Sequence, residues 1–456
     1  MAAVPRARGD LLTRVLLSGW GRTAPTAADV ERPAGAAEVA EALRSSNGRG
    51  VTARGLGRAY GDAAQNAGGR VLLTERMSVV RRFDGERGVV VAESGLSLDR
   101  LIRMLVPNGW FVPVTPGTRF VTLGGALAAD IHGKNHHRDG SFSEHVEWFE
   151  LVTPAGELRR VEAGSDLFHA TAGGMGLTGV VTQLALRLIP ISSAAMRVTT
   201  ERAADLDTLL ARLRARDEEF RYSVAWLDCL KRGAGMGRGV LMWGDHAEAD
   251  GQPLAFDPAS RLKVPFTAPP GVLNGLTTRA FNEVWYRKSP RRPHTGPESI
   301  AQFFHPLDSV LDWNRIYGPR GFVQYQSVVP LEREDVVRAM IERLSSAGTS
   351  SFLAVLKRFG RASGGHLSFP VPGWTLALDI PAGVRGLPAV LDALDALVLD
   401  AGGRVYLAKD ARVRPETVER MYPRLGEWRA VQRTVDPEGV MRSDLDRRLG
   451  LTGSRA

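Results

Sequence analysis

Apolar residues come mostly in short runs of strand length, and the spacing between them shifts repeatedly from a period of two to the longer period of a helix. Residues 71–73, 79–83 and 88–92 are rich in β-branched side chains and predict short strands. Further strands are predicted at 51–55, 147–153, 182–188, 224–227, 321–329, 352–356 and 374–380. Between them residues 34–43 form an amphipathic segment stopped by Asn47-Gly48, and Leu98, Leu101, Ile102 and Leu105 share one face of a helix over 97–106. Two more helices are predicted at 206–220 and 388–399. Strands with interposed helices and no internal repeat predict an α+β architecture. In the strand over 321–329 the alternation puts Gln324 and Gln326 on one polar face, with Phe322 outside that set.

Three stretches break this periodicity. Residues 54–62 place Gly55, Gly57 and Gly61 in a loop whose backbone can curl and point several N–H groups inward, as a phosphate cradle requires. A nicotinamide-type fingerprint would open a helix there, and no apolar helical period follows Tyr60. Residues 116–137 pack a turn, the Gly124-Gly125 pair, a run of small residues and a basic cluster into one segment. Residues 172–181 form a second glycine-rich stretch leading into a strand, so the two could wall one extended ligand, with ordinary turns as the plain alternative. A fourth irregular region, 264–297, is rich in Pro, Gly, Thr and Arg and predicts a mobile lid or docking segment. Its Trp285, Tyr286, Arg287 and Lys288 suit a membrane interface or an anionic head group, with a solvated linker as the plain alternative.

Length and charge narrow the function classes. The 456 residues predict about two or three domains. A formal charge of +9 suggests anionic partners, but the basic residues are interleaved with acids, which argues against nucleic acid. The tail 442–455 reads as a solvated end. Cys229 is the only cysteine, which excludes an intrachain disulfide and any multi-cysteine metal site and leaves core filling as its default role. The apolar run 11–17 is broken by Arg14 and reads poorly as a signal peptide, and no apolar segment reaches membrane-spanning length. Any membrane contact is therefore expected to be peripheral.

His132, His136 and His137 invite a metal reading, but Gly133 disfavours the helix that would align them and Lys134 would set a cation beside the metal. No metal is expected. No G-x-S-x-G nucleophile elbow occurs. Two glycine-rich walls, the loop His132-Gly133-Lys134-Asn135 and the late Tyr406 and Lys409 together suit a dinucleotide cofactor, with backbone N–H groups on its pyrophosphate and cations at its reactive ring. Flavin is the obvious candidate.

At these residues the chain resembles the vanillyl-alcohol-oxidase or p-cresol-methylhydroxylase flavoprotein superfamily, whose FAD-binding signatures look like 54–62, 116–137, 173–181 and 406–410. Within it, residues 132–137, 285–289, 304–308, 313–326, 367–374 and 406–412 look closest to the decaprenylphosphoryl-β-D-ribose 2′-oxidase family, and the resemblance spans about residues 19–449. It implies an FAD-binding domain over 1–190 completed by 404–456, around a substrate domain over 191–403 built on an antiparallel sheet flanked by helices. It implies oxidation of the sugar 2-hydroxyl to the 2-keto sugar, for a partner keto-reductase to complete epimerisation to the arabinose donor of cell-wall arabinan. Work on a polyprenyl-phosphate sugar also implies peripheral contact with the inner (plasma) membrane, with its cytoplasmic face preferred.

Carried over by position, Arg54, Gly55, Leu56, Gly57, Arg58, Ala59 and Tyr60 are implied around FAD, with Pro116, Gly117, Thr118, Thr122, Gly124, Gly125, Ala128 and Asp130. Gly174, Gly179, Val180 and Tyr406 complete that set. Near the sugar the resemblance implies Tyr60, His132, Lys134, Trp226, Phe304, Gln324, Gln326, Lys357, Thr375, Ala377 and Lys409. Lys409 would be the indispensable cation, with His132 and Lys134 beside it in the catalytic set. Relatives with covalent flavin carry histidine where this chain has Arg58, so noncovalent FAD is implied. The chain departs from the mycobacterial pattern at Thr375-Leu376-Ala377, where Asn-x-Cys stands, and at Phe304, where tyrosine stands. Hydride transfer needs no thiol, so the missing cysteine threatens inhibitors that bond to it rather than turnover. The runner-up is a sugar, alditol or aldonolactone oxidase of the same superfamily, and the remote alternative a basic polyanion-binding protein without flavin.

Overall fold

The computed structural model describes residues 13–249, 251, 253–256, 258, 262–348 and 351–453. Leu11 and Leu12 of the N-terminal apolar run and the last residues of the tail lie outside the described residues. The architecture is α+β and is organised by three sheets. A four-stranded sheet runs in the order Thr13–Leu17, Thr26–Glu31, Arg70–Leu73, Val51–Arg54. A five-stranded antiparallel sheet follows as Val80–Asp84, Val89–Glu93, Val180–Arg187, Val146–Val152, Leu158–Glu162. The third sheet has eight strands in the order His294–Ser299, Ala195–Ala203, Gly239–His246, Tyr222–Leu227, Ala354–Phe359, Gly373–Pro381, Phe322–Val329, Arg404–Val405.

The large sheet is two-sided because its strands alternate. Leu356, Leu376 and Leu378 point to one face and are buried with Leu209, Ile341 and Leu394 from the helices Leu206–Arg216, Glu334–Ser346 and Leu387–Asp400. Lys357, Thr375, Ala377 and Asp379 alternate with those leucines and face the other way. Gln324 and Gln326 join them by register, and so does Phe322, whose ring lies 5.5 Å from Tyr60. Phe322 therefore belongs to the glutamine face. The period of two puts residues 322, 324 and 326 on one side, so the expectation that set Phe322 apart was mistaken.

Two regions differ from the sequence reading. The segment expected as a mobile lid over 264–297 contains a 14-residue helix, Gly275–Lys288, and most of the edge strand His294–Ser299. Asn274 caps the helix by accepting from Leu276 N and Thr277 N, while Thr277 Oγ1 accepts from Asn274 N at 3.0 Å. The helix is pinned to the sheet side by Asn282, which donates to Asp228 at 2.8 Å, and by Glu283, 2.6 Å from Arg238. The C-terminal tail is likewise folded in rather than solvated. Leu445 and Leu449 are buried, and Arg448 pairs with Asp62 at 2.8 Å and Asp410 at 2.9 Å.

Asp130 ties the glycine-rich half of the molecule to the loop before Gly373–Pro381. Its fully buried carboxylate accepts from Ser141 Oγ at 2.8 Å, Ser143 N at 2.9 Å, Ser363 Oγ at 2.8 Å and Ser368 Oγ. With both oxygens occupied by protein donors, Asp130 acts as a structural staple. Asp130→Ala strands three hydroxyls and one N–H in the interior. It should lower the unfolding free energy by about 3 kcal/mol or more, read as a lower urea midpoint, while Asp130→Asn loses less.

Candidate active site

The first glycine loop leaves the end of strand Val51–Arg54 and is held from beneath by Arg54, whose guanidinium donates to Ser18 O at 2.8 Å and Ala64 O at 3.0 Å. Gly57 has φ 63°, and a Cβ there would lie 2.3 Å from Arg54 Nη2, so the loop needs glycine at that point. Among the described residues no backbone N–H from Gly55 through Ala59 donates to a protein acceptor. Five successive N–H groups without partners among the described residues, on half-buried backbone that includes Leu56, could serve an anion as a cradle. A cavity of about 280 Å³ opens beside them, lined by Trp20, Arg22, Arg54, Leu56, Gly57 and Asn314. Arg58 does not enter the cradle: its guanidinium lies 3.8 Å over the Trp20 ring and donates to Phe120 O at 3.2 Å.

The second loop meets the first. Thr122 caps the short helix Leu123–Ala128 by accepting from Gly125 N at 3.2 Å, and a Cβ on Gly55 would fall 2.2 Å from Thr122 Oγ1. Gly117, next to Pro116, is exposed with open space where a Cβ would stand, and Thr118 Oγ1 donates to Asp308 at 2.7 Å. Gly124 and Ala128 are half-buried at the two ends of the same helix. These two loops offer a backbone-lined wall that fits an extended diphosphate. In the stretch 172–181 the open position is Gly176, half-buried with free space where a Cβ would stand. Gly174, Gly179 and Val180 are buried, and a Cβ at Gly179 would lie 2.6 Å from Val152 O, so close backbone packing accounts for that glycine.

His132 joins this wall to the large sheet. It is 8% exposed, its Nε2 lies 3.0 Å from Gln326 Nε2, and its Nδ1 lies 3.1 Å from Lys357 Nζ. Cross-strand register sets Trp226, Val355, Ala377 and Gln326 in one row and Lys357 opposite Thr375 in the next. Gln324 stands opposite Asp379 in a third row. Gln326 also donates to Thr375 Oγ1 at 3.1 Å, and Trp226 Nε1 to Phe352 O at 3.0 Å. Six residues expected near the sugar therefore share one sheet face, with His132 bonded to two of them. Lys409 reaches the same hollow from the turn after Arg404–Val405, with Nζ 3.9 Å from the Tyr60 ring centroid.

The hollow is rich in buried cations. Burial brings Lys357 down to about 7, helped by Lys134 and Lys409, and brings Lys134 down to about 8 against the pull of Glu298. Burial also lowers Lys409, which Asp379 opposes, and holds His132 well below the usual histidine range. His132 is therefore neutral and carries one N–H. As placed, Gln326 Nε2 faces His132 Nε2 and also donates to Thr375, so His132 Nε2 accepts and Nδ1 carries the hydrogen. Lys357 in its neutral form accepts from Nδ1–H.

Some expected residues lie elsewhere. Phe304 is 2% exposed in an aromatic core, its ring 4.8 Å from Tyr222 and 5.3 Å from Phe111, because Ile300–Phe304 is a single-turn helix whose apolar face turns inward. Its neighbour Phe303 reaches the site instead: Lys134 Nζ donates to Phe303 O and lies 4.2 Å over its ring. Tyr406 donates to Ala129 O at 2.7 Å and stacks on Phe369, so it backs the loop before His132 rather than presenting its hydroxyl. His136 Nδ1 accepts from Gly360 N and His137 Nε2 lies 3.1 Å from Phe220 O, and among the described residues no group of metal-type side chains comes together. Asp379 and Phe303 were missed. Counting in twos forward from Thr375 and Ala377 would have found Asp379. No comparable signal marked Phe303.

An FAD-binding domain family model matches residues 27–162, and a D-arabinono-1,4-lactone oxidase model matches residues 388–449. The chain is 42% identical over 449 residues to decaprenylphosphoryl-β-D-ribose oxidase of Mycolicibacterium smegmatis, covering 95% of this chain and 97% of the relative. It is 25% identical over 445 residues to alditol oxidase of a Streptomyces species, covering 93% and 96%.

The lowered Lys357 has a thermodynamic sign. Between about pH 7 and the usual lysine range the unfolded chain binds more protons at this group than the folded one, so stability rises with pH through that window and the full cost is felt below it. Lys357→Met should flatten that rise, measured by urea unfolding at several pH values, and an unchanged slope would contradict the assignment.

Proposed function

The chain belongs to the decaprenylphosphoryl-β-D-ribose oxidase family of FAD-dependent oxidoreductases, and on that premise we propose that it oxidises the 2-hydroxyl of decaprenylphosphoryl-β-D-ribose to the 2-keto sugar. The observation that carries the reading is the shared sheet face: Trp226, Gln324, Gln326, Lys357, Thr375 and Ala377 gather there around His132 and Lys409. FAD, when bound, supplies the hydride acceptor. The N–H groups of Gly55 to Ala59 would hold its diphosphate. Gln324 and Gln326 would orient the sugar hydroxyls, and Lys409 and Lys357 would stabilise negative charge as it develops in the hollow. The His132–Lys357 contact offers a route for the hydroxyl proton, since either partner can take the hydrogen the other releases.

Noncovalent flavin fits the same site. A covalent link needs a nucleophile, and the first loop presents Arg58 stacked on Trp20, while Cys229 lies buried with its thiol pushed up by burial. The 2-keto product calls for a separate reductase to complete epimerisation. The sheets also suit the division into a flavin lobe over 1–190 with 404–456 and a substrate lobe over 191–403, although Arg404–Val405 hydrogen-bonds to Phe322–Val329 of the large sheet.

A peripheral place on the inner membrane follows from a polyprenyl substrate. No helix among the described residues is long and apolar enough to cross a membrane. Exposed Leu276, Phe281, Val284 and Trp285 crowd the helix Gly275–Lys288, Leu262, Phe266 and Leu311 lie exposed in the segments around it, and the exposed bases Arg287, Lys288, Arg291 and Arg292 follow. An apolar patch rimmed by cations fits an anionic bilayer in which the lipid tail stays anchored.

The match of residues 388–449 to D-arabinono-1,4-lactone oxidase favours, as a second reading, an oxidase of free sugars, alditols or aldonolactones. Such an enzyme has no use for the exposed apolar helix.

Purified protein should be yellow and release FAD with acid. Anaerobic decaprenylphosphoryl ribose should bleach the flavin; bleaching by an alditol or aldonolactone alone would transfer the reading to the second one. Lys409→Ala should slow that bleaching by about 100-fold or more. Vesicles containing phosphatidylglycerol should sediment the wild-type protein, and Leu276→Asp with Val284→Asp should release it while leaving the flavin bound.

A further inference from the structure

The loop that follows strand Ala354–Phe359, the strand start at Arg404 and the residues just before the helix Leu425–Val435 surround a second cavity of about 130 Å³. Ser363, His366, Ser368, Arg404, Pro423 and Arg424 line it, and it shares no residue with the glycine loops or the hollow around Lys409. Positive groups dominate its wall. Arg404 is half-buried, its one protein acceptor among the described residues is Ser368 O at 3.3 Å, and its buried Nε has no partner. Its guanidinium lies 5.0 Å over the Tyr422 ring, which supplies no full charge. His366 is 6% exposed, and its buried Nδ1 also lacks a partner. Arg424 stands at the rim and donates to Gly364 O at 3.0 Å.

The acids in the neighbourhood do not balance this charge. Glu427 pairs with Arg424 at 3.0 Å and lies 4.0 Å from His366 Nε2, but it is exposed, as is Asp166, which also acts on His366. Asp130 sits behind Ser363 and Ser368 with both oxygens already taken. No carboxylate lines the cavity itself. A guanidinium and an imidazole with buried polar atoms left unpaired are costly for the protein alone, and an anion with several acceptor oxygens would satisfy both. The volume is that of about four water molecules, enough for one tetrahedral oxyanion and too little for a nucleotide.

We propose that this cavity binds a phosphate-type oxyanion, with Arg404 and Arg424 as its charged donors and His366 Nδ1 as a further one. The anion joins the loop over 362–371 to the turn at Pro423 and Arg424. Ser363 and Ser368 belong to the same wall and donate to Asp130, so the anion also steadies the staple that holds the stretch 116–137. Inorganic phosphate and the phosphate of a lipid head group share the chemistry the cavity reads. The inference does not depend on which sugar the enzyme oxidises, because it concerns a second ligand on a separate wall.

The test titrates FAD-saturated protein, whose glycine loops are then filled, with inorganic phosphate at constant ionic strength, and reads binding by calorimetry and by the thermal midpoint. One phosphate per chain should bind and raise the midpoint by about 2 °C or more above chloride at equal ionic strength. Arg404→Gln should abolish binding. Arg424→Gln and His366→Leu should each weaken it about 10-fold or more while the flavin stays bound with an unchanged visible spectrum. If Arg404→Gln does not fold, the other two variants decide. Phosphatidic acid vesicles that displace the bound phosphate identify a head group as its source, and phosphate that they leave in place identifies the free ion. Stabilisation by phosphate no greater than by chloride, or an affinity that neither Arg424→Gln nor His366→Leu changes, overturns the site. An affinity that falls in Lys409→Met instead places the anion in the hollow and overturns it as well.

Discussion

The antiparallel register of Phe322–Val329, Gly373–Pro381 and Ala354–Phe359 is the constraint from which the rest of the site follows. It sets Gln324 against Asp379, Gln326 against Ala377 and Lys357 against Thr375, so polar groups scattered over more than fifty positions of chain become one surface. A slip of one residue in Ala354–Phe359 would turn Lys357 into the helix-packed core and bring Leu356 out to the hollow. The leucines that alternate with the polar set prevent that slip. Leu356, Leu376 and Leu378 are buried against three helices, and none could leave without exposing apolar surface.

That surface does its chemistry only where the other half of the molecule meets it. His132 is the meeting point: it stands at the end of the stretch 116–137 and bonds to Gln326 and Lys357 across the interface. Asp130, two residues earlier, locks the same segment through three serines and a backbone N–H. The pairing explains why a carboxylate stands next to a glycine-rich loop: its oxygens serve the packing of the segment.

Gathering half-buried lysines in one hollow is unfavourable for the protein alone, and burial lowers Lys134, Lys357 and Lys409 from their usual range. Asp379 and Glu298 offset part of that strain. The remainder suits a site that works on anionic ligands, where the excess positive charge meets its complement on binding. A net charge of +9 therefore has a local meaning at the site as well as a diffuse one.

Much of this was legible in the chain itself. Alternation and helical spacing located the strands and helices around Gln324, Lys357 and Thr375, and glycine spacing marked the loops 54–62 and 116–137, because these are local properties of a backbone and its nearest neighbours. The helix Gly275–Lys288 was missed although Asn274 and Thr277 spell its cap, because flanking prolines and glycines dominated the composition of the segment. Tertiary structure alone decided which side chains share the site. Phe303 and Phe304 both pack into the aromatic core, yet only Phe303 also meets Lys134, a difference of one residue on a single helical turn that depends on what packs against it. The placing of Asp130 as a staple, of the C-terminal helix against Asp62 and of Asp379 against Gln324 likewise needed contacts between residues far apart in sequence. Local pattern says which face a residue lies on; only packing says what that face meets.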